Sequence, residues 1–439
     1  MPTPRDSAPP ARRVRLQRIS FGCLFGGLAG LLIVAPWEAW STGVPWYLSL
    51  GALLTGLTGT LATGGSLSWR ALRRPWALGL ALFAAMVAVS TLTSLNPETS
   101  SRILRKEFLV YASVFLGLTL GVNRLADLRR LIHVLAVSGL LACAASVGTY
   151  HFYLSGADEV TRLAWVRDNV VDHDEPERRE SLRAQYPLEH HNKLGFFSAL
   201  TAMTLVYLGT AANGRRWLWW LSAVIPLWCL MLTLNRGALV GMAAAVLIVA
   251  TMTNWRMAAG LAAAGLLVVA AVLPSHVRRH YETIFEPATY REHWTSMQYR
   301  TRGWRSSWNM IRDRPLTGVG YSWMNFEEEY PRYAVADEVQ IKPHAHNVWI
   351  EMTAETGIIG GVGFAVFQMG LFTATWRIWW PRRRTEPWLS FQISLQLMML
   401  IVGLISFYFR EQLGVILWAV LAMGVVTAGL PEYQRRLEA

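Results

Sequence analysis

Long apolar runs broken by short polar stretches dominate the 439-residue chain. About 20 apolar residues are enough for a helix to cross a bilayer. About twelve runs approach that length, at roughly 19–36, 47–64, 76–94, 107–122, 131–153, 193–212, 217–234, 237–253, 257–274, 347–376, 388–409 and 412–430. The run from 347 is too long for one crossing and is expected to begin as an interfacial turn. The pattern predicts an all-α polytopic membrane protein with about twelve transmembrane helices.

Composition agrees. The chain is 53% hydrophobic and 16% charged, whereas soluble domains carry about a quarter charged residues. Its 21 Trp suit an interface belt. The net charge of +12 therefore reads as topogenic arginine and gives no reason to expect nucleic acid. Cys23, Cys143 and Cys229 all fall within apolar runs, too scattered for a metal site or a disulfide framework.

Charge orients the spans. If the basic tail 1–18 is cytoplasmic and the first helix is retained, every second loop should be rich in arginine. Those loops hold Arg70, Arg73 and Arg74; Arg124, Arg129 and Arg130; Arg215 and Arg216; Arg256; Arg377 and Arg382 to Arg384; and Arg435 and Arg436 in the tail 431–439. Arg102, Arg105 and Lys106 are the exception. Both termini are then cytoplasmic. Helices 1–5 occupy 19–153, helices 6–9 occupy 193–274, and helices 10–12 occupy 347–430. Two long outer segments remain, 154–192 and 275–346. The second is rich in Arg, Trp and Tyr, a composition unlike disorder. It is expected to form a large, partly helical external subdomain.

Three stretches there could carry chemistry. Arg236, in Leu234-Asn235-Arg236-Gly237-Ala238, sits between two apolar runs on the outer side, where a merely topogenic arginine is least expected. Its plain alternative is a snorkelling side chain. Arg300, Arg302 and Arg305 precede an amphipathic helix with Trp304, Trp308 and Ile311 on one side. Guanidinium forks suit phosphate oxygens, and a solvated basic face is the alternative. The helix ends at Pro315-Leu316-Thr317-Gly318-Val319-Gly320, which lacks the Lys-Ser/Thr of a nucleotide loop. Then comes Lys342-Pro343-His344-Ala345-His346-Asn347. These imidazoles can act as base, metal ligand or structural group, and Asn347 can orient a ring or hold a substrate hydroxyl. His190, His191 and Asn192 could be recruited from the first outer segment.

In this order, Leu-Asn-Arg236-Gly-Ala, Arg300-x3-Trp304, Pro315-x2-Gly-x-Gly320, His344-x-His346-Asn347, Glu351 and Glu355-x-Gly357-x2-Gly360 resemble the bacterial O-antigen ligase family. That family is similar to O-antigen polymerases and protein O-oligosaccharyltransferases. The resemblance implies an inner-membrane glycosyltransferase with a periplasmic active site, inverting and needing neither metal nor other cofactor. Its donor would be O-antigen on undecaprenyl diphosphate and its acceptor lipid A-core, both met among membrane lipids. The implied residues are His346, with His344 as substitute, and Arg236 with Arg300, for which Arg302 or Arg305 can stand in. His191, Asn192 and Asn347 are further substrate contacts. Polymerase, protein transferase and, in another class, transporter or flippase remain the competing readings.

Overall fold

In the computed structural model, residues 11–37, 44–62, 75–155, 171–172, 183–188, 190–211, 214–254, 256, 296–335, 344–406 and 410–430 are described. The expected span 257–274, most of the first long outer segment, and residues 275–295 and 336–343 of the second, Lys342 and Pro343 among them, lie outside them. The described chain is helical: α1 Ala11–Val34, α2 Val44–Ala62, α3 Pro75–Leu92, α4 Pro97–Ile103, a π turn Leu104–Phe108, α5 Leu109–Gly121, α6 Leu125–Ser155, α7 His191–Ala211, α8 Arg216–Ser222, α9 Val224–Leu232, α10 Arg236–Thr253, α11 Ser296–Asp313, α12 Trp323–Tyr333, α13 Val348–Arg382, α14 Pro387–Gly403 and α15 Glu411–Gly429. A two-residue antiparallel ribbon pairs β1 Val171–Asp172 with β2 Arg183–Ala184. Among the described residues, six helices are long and apolar enough to cross a membrane: those within α1, α3, α6, α7, α10 and α13. Shorter apolar helices cover 216–232, 387–403 and 413–429.

Helix starts follow local chemistry. The run expected at 107–122 is extended back to Pro97, because Asn96 caps α4 by accepting the Thr99 N–H at 3.1 Å. The run at 217–234 is interrupted at Ala223, three residues before Pro226, which has no N–H to give to Ser222. Between the spans, α1 packs on α2, α3 on α13, α5 on α15 and α10 on α14. Phe115, Phe367 and Trp418 meet in the core with ring centroids 5.5–5.8 Å apart.

The amphipathic face of α11 differs from the expected one. Its buried stripe is Gly303, Ser306, Ser307, Met310 and Ile311, while Trp308 is 52% exposed. Close backbone approach decides this: a Cβ on Gly303 would sit 2.9 Å from the His344 carbonyl oxygen. Small residues therefore take the contact and the indole turns outward.

The expected interfacial turn at 347 is a short helix broken from the rest of α13 at Gly357, whose φ is +77°. The break frees backbone groups that an intact helix would pair. Val319 N–H donates to the Ala354 carbonyl (3.0 Å), Gly320 N–H to that of Glu355 (3.2 Å), and Ile358 N–H to that of Pro315 (2.7 Å). The Pro315–Gly320 motif thus splices the outer segment into a broken helix. Gly318, at φ +68°, lies against the Glu355 carbonyl, and Gly357 against that of Leu316. A side chain at either position meets both a left-handed backbone and a filled space.

Candidate functional site

Five connections between helices meet at one end of the bundle. Asn235 Nδ2 donates to the Asn192 carbonyl at 3.0 Å, and Asn347 Nδ2 to that of Leu404 at 3.1 Å. Val348 N–H bonds the Ser406 carbonyl, and Leu95 N–H that of Val319. Lys193 pairs with Glu411. All five are connections that charge alternation assigns to one side. Arg129 acts on Tyr207 together with Glu386, so two loops assigned to the opposite side also share an environment.

Asn235 and Asn347 work alike. Each caps the helix that follows: Asn235 Oδ1 accepts from Ala238 N–H (2.9 Å), and Asn347 Oδ1 from Trp349 N–H (3.0 Å) and Ile350 N–H (3.1 Å). Each uses its amide nitrogen to hold a neighbouring connection. Just before each cap stands a non-glycine residue in the left-handed region, Leu234 at φ 53° and His346 at φ 46°. Glu411, at the start of α15, has φ 53°. Such backbones cost energy and cluster where the surroundings hold a functional geometry.

These turns gather the charges. Arg236 is the first residue of α10, and Arg300 lies in the second turn of α11. Burial, then the Arg236 charge, lowers the Arg300 pKa from its ordinary value. His346 is pushed down to about 4, first by burial, then by the charges of Arg300 and His191. It is therefore neutral near pH 7, beside Arg300, which in turn feels the charge of Arg236.

His344 and His346 do not face the same group. Their rings lie 6.1 Å apart at 86°. His344 Nε2 is 3.3 Å from Glu327 Oε1 on α12, whereas His346 sits in the field of Arg300 and His191. His191 is buried at the start of α7, accepts from Arg183 Nη1 at 3.0 Å and stacks on His190 at 4.6 Å. Asn192 offers its backbone carbonyl to Asn235. Arg302 is half-buried, and Arg305 is exposed on the outward face of α11. The side chain of Asn347 is engaged at both ends, by the cap and by Leu404.

Sequence reasoning passed over several groups here. Arg410 is 5% exposed and pairs with Glu355, with Glu107 Oε2 at 3.8 Å and the Tyr321 ring 4.9 Å away. The argument that singles out Arg236, an arginine in a short outer connection between apolar runs, applies equally to Arg410. Arg183 and Lys193 carried no comparable signal: Arg183 lies within a long polar segment, and Glu411, the partner of Lys193, is distant in sequence.

The family model described as O-antigen ligase matches residues 221–365, about a third of the 439-residue chain. The match supports the resemblance read from the motifs. It takes in Arg236, Arg300, Arg302, Arg305, His344, His346 and Asn347, together with the spliced break at Gly357. His191, Asn192 and Arg410 lie outside it. No curated protein matches the sequence.

Proposed function

With the O-antigen ligase match as the starting point, we propose that this multi-pass membrane protein is a glycosyltransferase of the inner membrane. It moves O-antigen from undecaprenyl diphosphate to a sugar hydroxyl of lipid A-core, and its active site faces the periplasm. One observation carries the reading: Arg236, Arg300 and a neutral His346 converge at the end of the bundle where the outer connections meet. The one-ended arrangement of those connections supports the periplasmic placement, given arginine-rich loops on the other side.

The chemistry follows from the charges. Two half-buried guanidiniums that repel one another favour an anion such as a diphosphate. The acceptor hydroxyl gives its proton to the His346 imidazole. Its oxygen attacks the anomeric carbon from the face opposite the diphosphate, and the anomeric C–O bond breaks. The leaving diphosphate takes the electron pair, and Arg236 and Arg300 stabilise the charge that develops. The configuration inverts. A bound diphosphate also offsets the field of Arg300, so His346 becomes more basic only once the donor is in place. His191, held by Arg183, adds to the positive field at the imidazole.

Purified protein reconstituted with lipid-linked O-antigen and lipid A-core tests the reading. The expected product is glycosylated lipid A-core, formed without nucleotide and in the presence of EDTA. Extension of a second lipid-linked glycan would make it a polymerase, and glycosylation of protein hydroxyls a protein transferase. Movement of glycolipid across the bilayer with no new glycosidic bond would make it a flippase. Loss of transfer on adding EDTA would refute the metal-free mechanism.

A further inference from the structure

The outward face of α11 carries a feature that the transfer chemistry does not use. Trp304, Arg305, Trp308 and Arg312 line an open groove of about 630 Å³, closed on its other side by Val335 and Ile350. Among the described residues no acidic side chain lines this groove, and none pairs with Arg305 or Arg312. Trp308 is 52% exposed, a large indole surface on an otherwise polar helix. The Nε1–H of Trp304 is buried and has no hydrogen-bond partner.

The groove adjoins both the site and the apolar surface. Ile350 receives the cap of Asn347, beside His346, while Thr301 at the groove's near end follows Arg300. The stretch of helix from Arg300 to Arg312 rises about 18 Å at 1.5 Å per residue. Just beyond, Leu316 is 64% exposed and adjoins the break that leads to Ile358 and Val362, themselves 47% and 51% exposed. A ligand along α11 would thus meet indole faces and guanidiniums, with an apolar surface at one end and the neutral histidine at the other. Indoles stack on the C–H faces of sugar rings. Unpaired guanidiniums select phosphate or carboxylate groups.

We infer that this groove seats the acceptor, a membrane-anchored glycolipid whose saccharide head carries phosphate. The inference rests on the transferase reading for which substrate occupies the groove. Arg236 and Arg300 hold the donor diphosphate, whereas Arg305 and Arg312 hold the phosphates of the acceptor.

The test is binding, measured apart from transfer. Wild type, R305Q/R312Q and W308A are placed in neutral-lipid nanodiscs. They are titrated with a phosphorylated lipid A-core glycolipid, with its phosphatase-treated form, and with phosphatidylglycerol. Wild type should bind the phosphorylated glycolipid at least tenfold more tightly than either variant, and more tightly than it binds the dephosphorylated form. All three should bind the diphosphate donor alike. Equal glycolipid binding by wild type and R305Q/R312Q would overturn the inference. So would a loss that is the same for phosphatidylglycerol, which would make the face a headgroup anchor. Matching melting curves exclude misfolding, which these exposed positions do not invite. If wild type binds the glycolipid yet transfers nothing on reconstitution, the ligase reading fails and the groove stands. If both variants transfer with an unchanged acceptor KM, the groove fails and the ligase reading stands.

Discussion

His346 combines a left-handed backbone, burial and a neighbouring positive charge, and each bears on what it can do. Replacing it with Ala should lower kcat by about 10²- to 10⁴-fold, the usual range for a lost general base. Donor binding should be nearly unchanged. The acid limb of kcat/KM, which reports the free enzyme, should lie near 4 to 5 rather than at the ordinary histidine value of about 6.5. The sign follows from the cause: positive neighbours and burial oppose protonation, so the neutral base persists to lower pH. R300Q removes one of those neighbours and should move the limb upward. A limb that stays in place would show that Arg300 does not act on His346. Arg236→Ala and Arg300→Ala should each weaken donor use by about 1.5–3 kcal/mol, the scale of a hydrogen bond to a charged group. Because they serve one anion, their effects should be non-additive in a double-mutant cycle.

The break in α13 makes the site possible. An unbroken helix would pair Ala354 and Glu355 within itself and leave Pro315–Gly320 without partners. Gly357→Ala should destabilise the protein by at least about 1–2 kcal/mol, the cost of a left-handed alanine, with more from the contact with Leu316. Thermal unfolding in detergent should show a lower midpoint. Transfer should fall as well, because the short helix after Asn347 aims His346. An unchanged midpoint would mean that α13 can straighten without cost. The amphipathic face of α11 was legible only in part from its sequence. The spacing of Trp304, Trp308 and Ile311 marks a helix. Which side faces inward was decided by the approach of Gly303 to His344, a contact between segments that no periodicity encodes.

The whole molecule is organised by ends. The connections that charge alternation assigns to one side bring Asn192, Asn235, Asn347, Leu404 and Glu411 together. Single cysteines test which end is outside. With Cys23, Cys143 and Cys229 replaced by Ser, a cysteine at Arg305 or Glu328 should react with an impermeant maleimide in intact cells with a permeabilised outer membrane. A cysteine at Arg215 or Arg384 should react only after lysis. The reverse labelling would put the active site in the cytoplasm and remove the lipid-linked donor reading.

The apolar runs determined by themselves that this is a helical membrane protein, because span length and burial of backbone polar groups leave few alternatives. The same holds for the approximate helix positions, and for the order of motifs that singled out Arg236, Arg300 and the His344–Asn347 stretch. Only the tertiary structure decided which of these meet. His346 turned toward Arg300 and His344 toward Glu327, though one residue separates them. Arg305 turned away into a groove of its own. Arg410, unremarked in sequence, became the partner of Glu355. The physical reason is that like residues in one motif differ only in direction. Direction here is set by backbone turns and by hydrogen bonds between segments far apart in the chain.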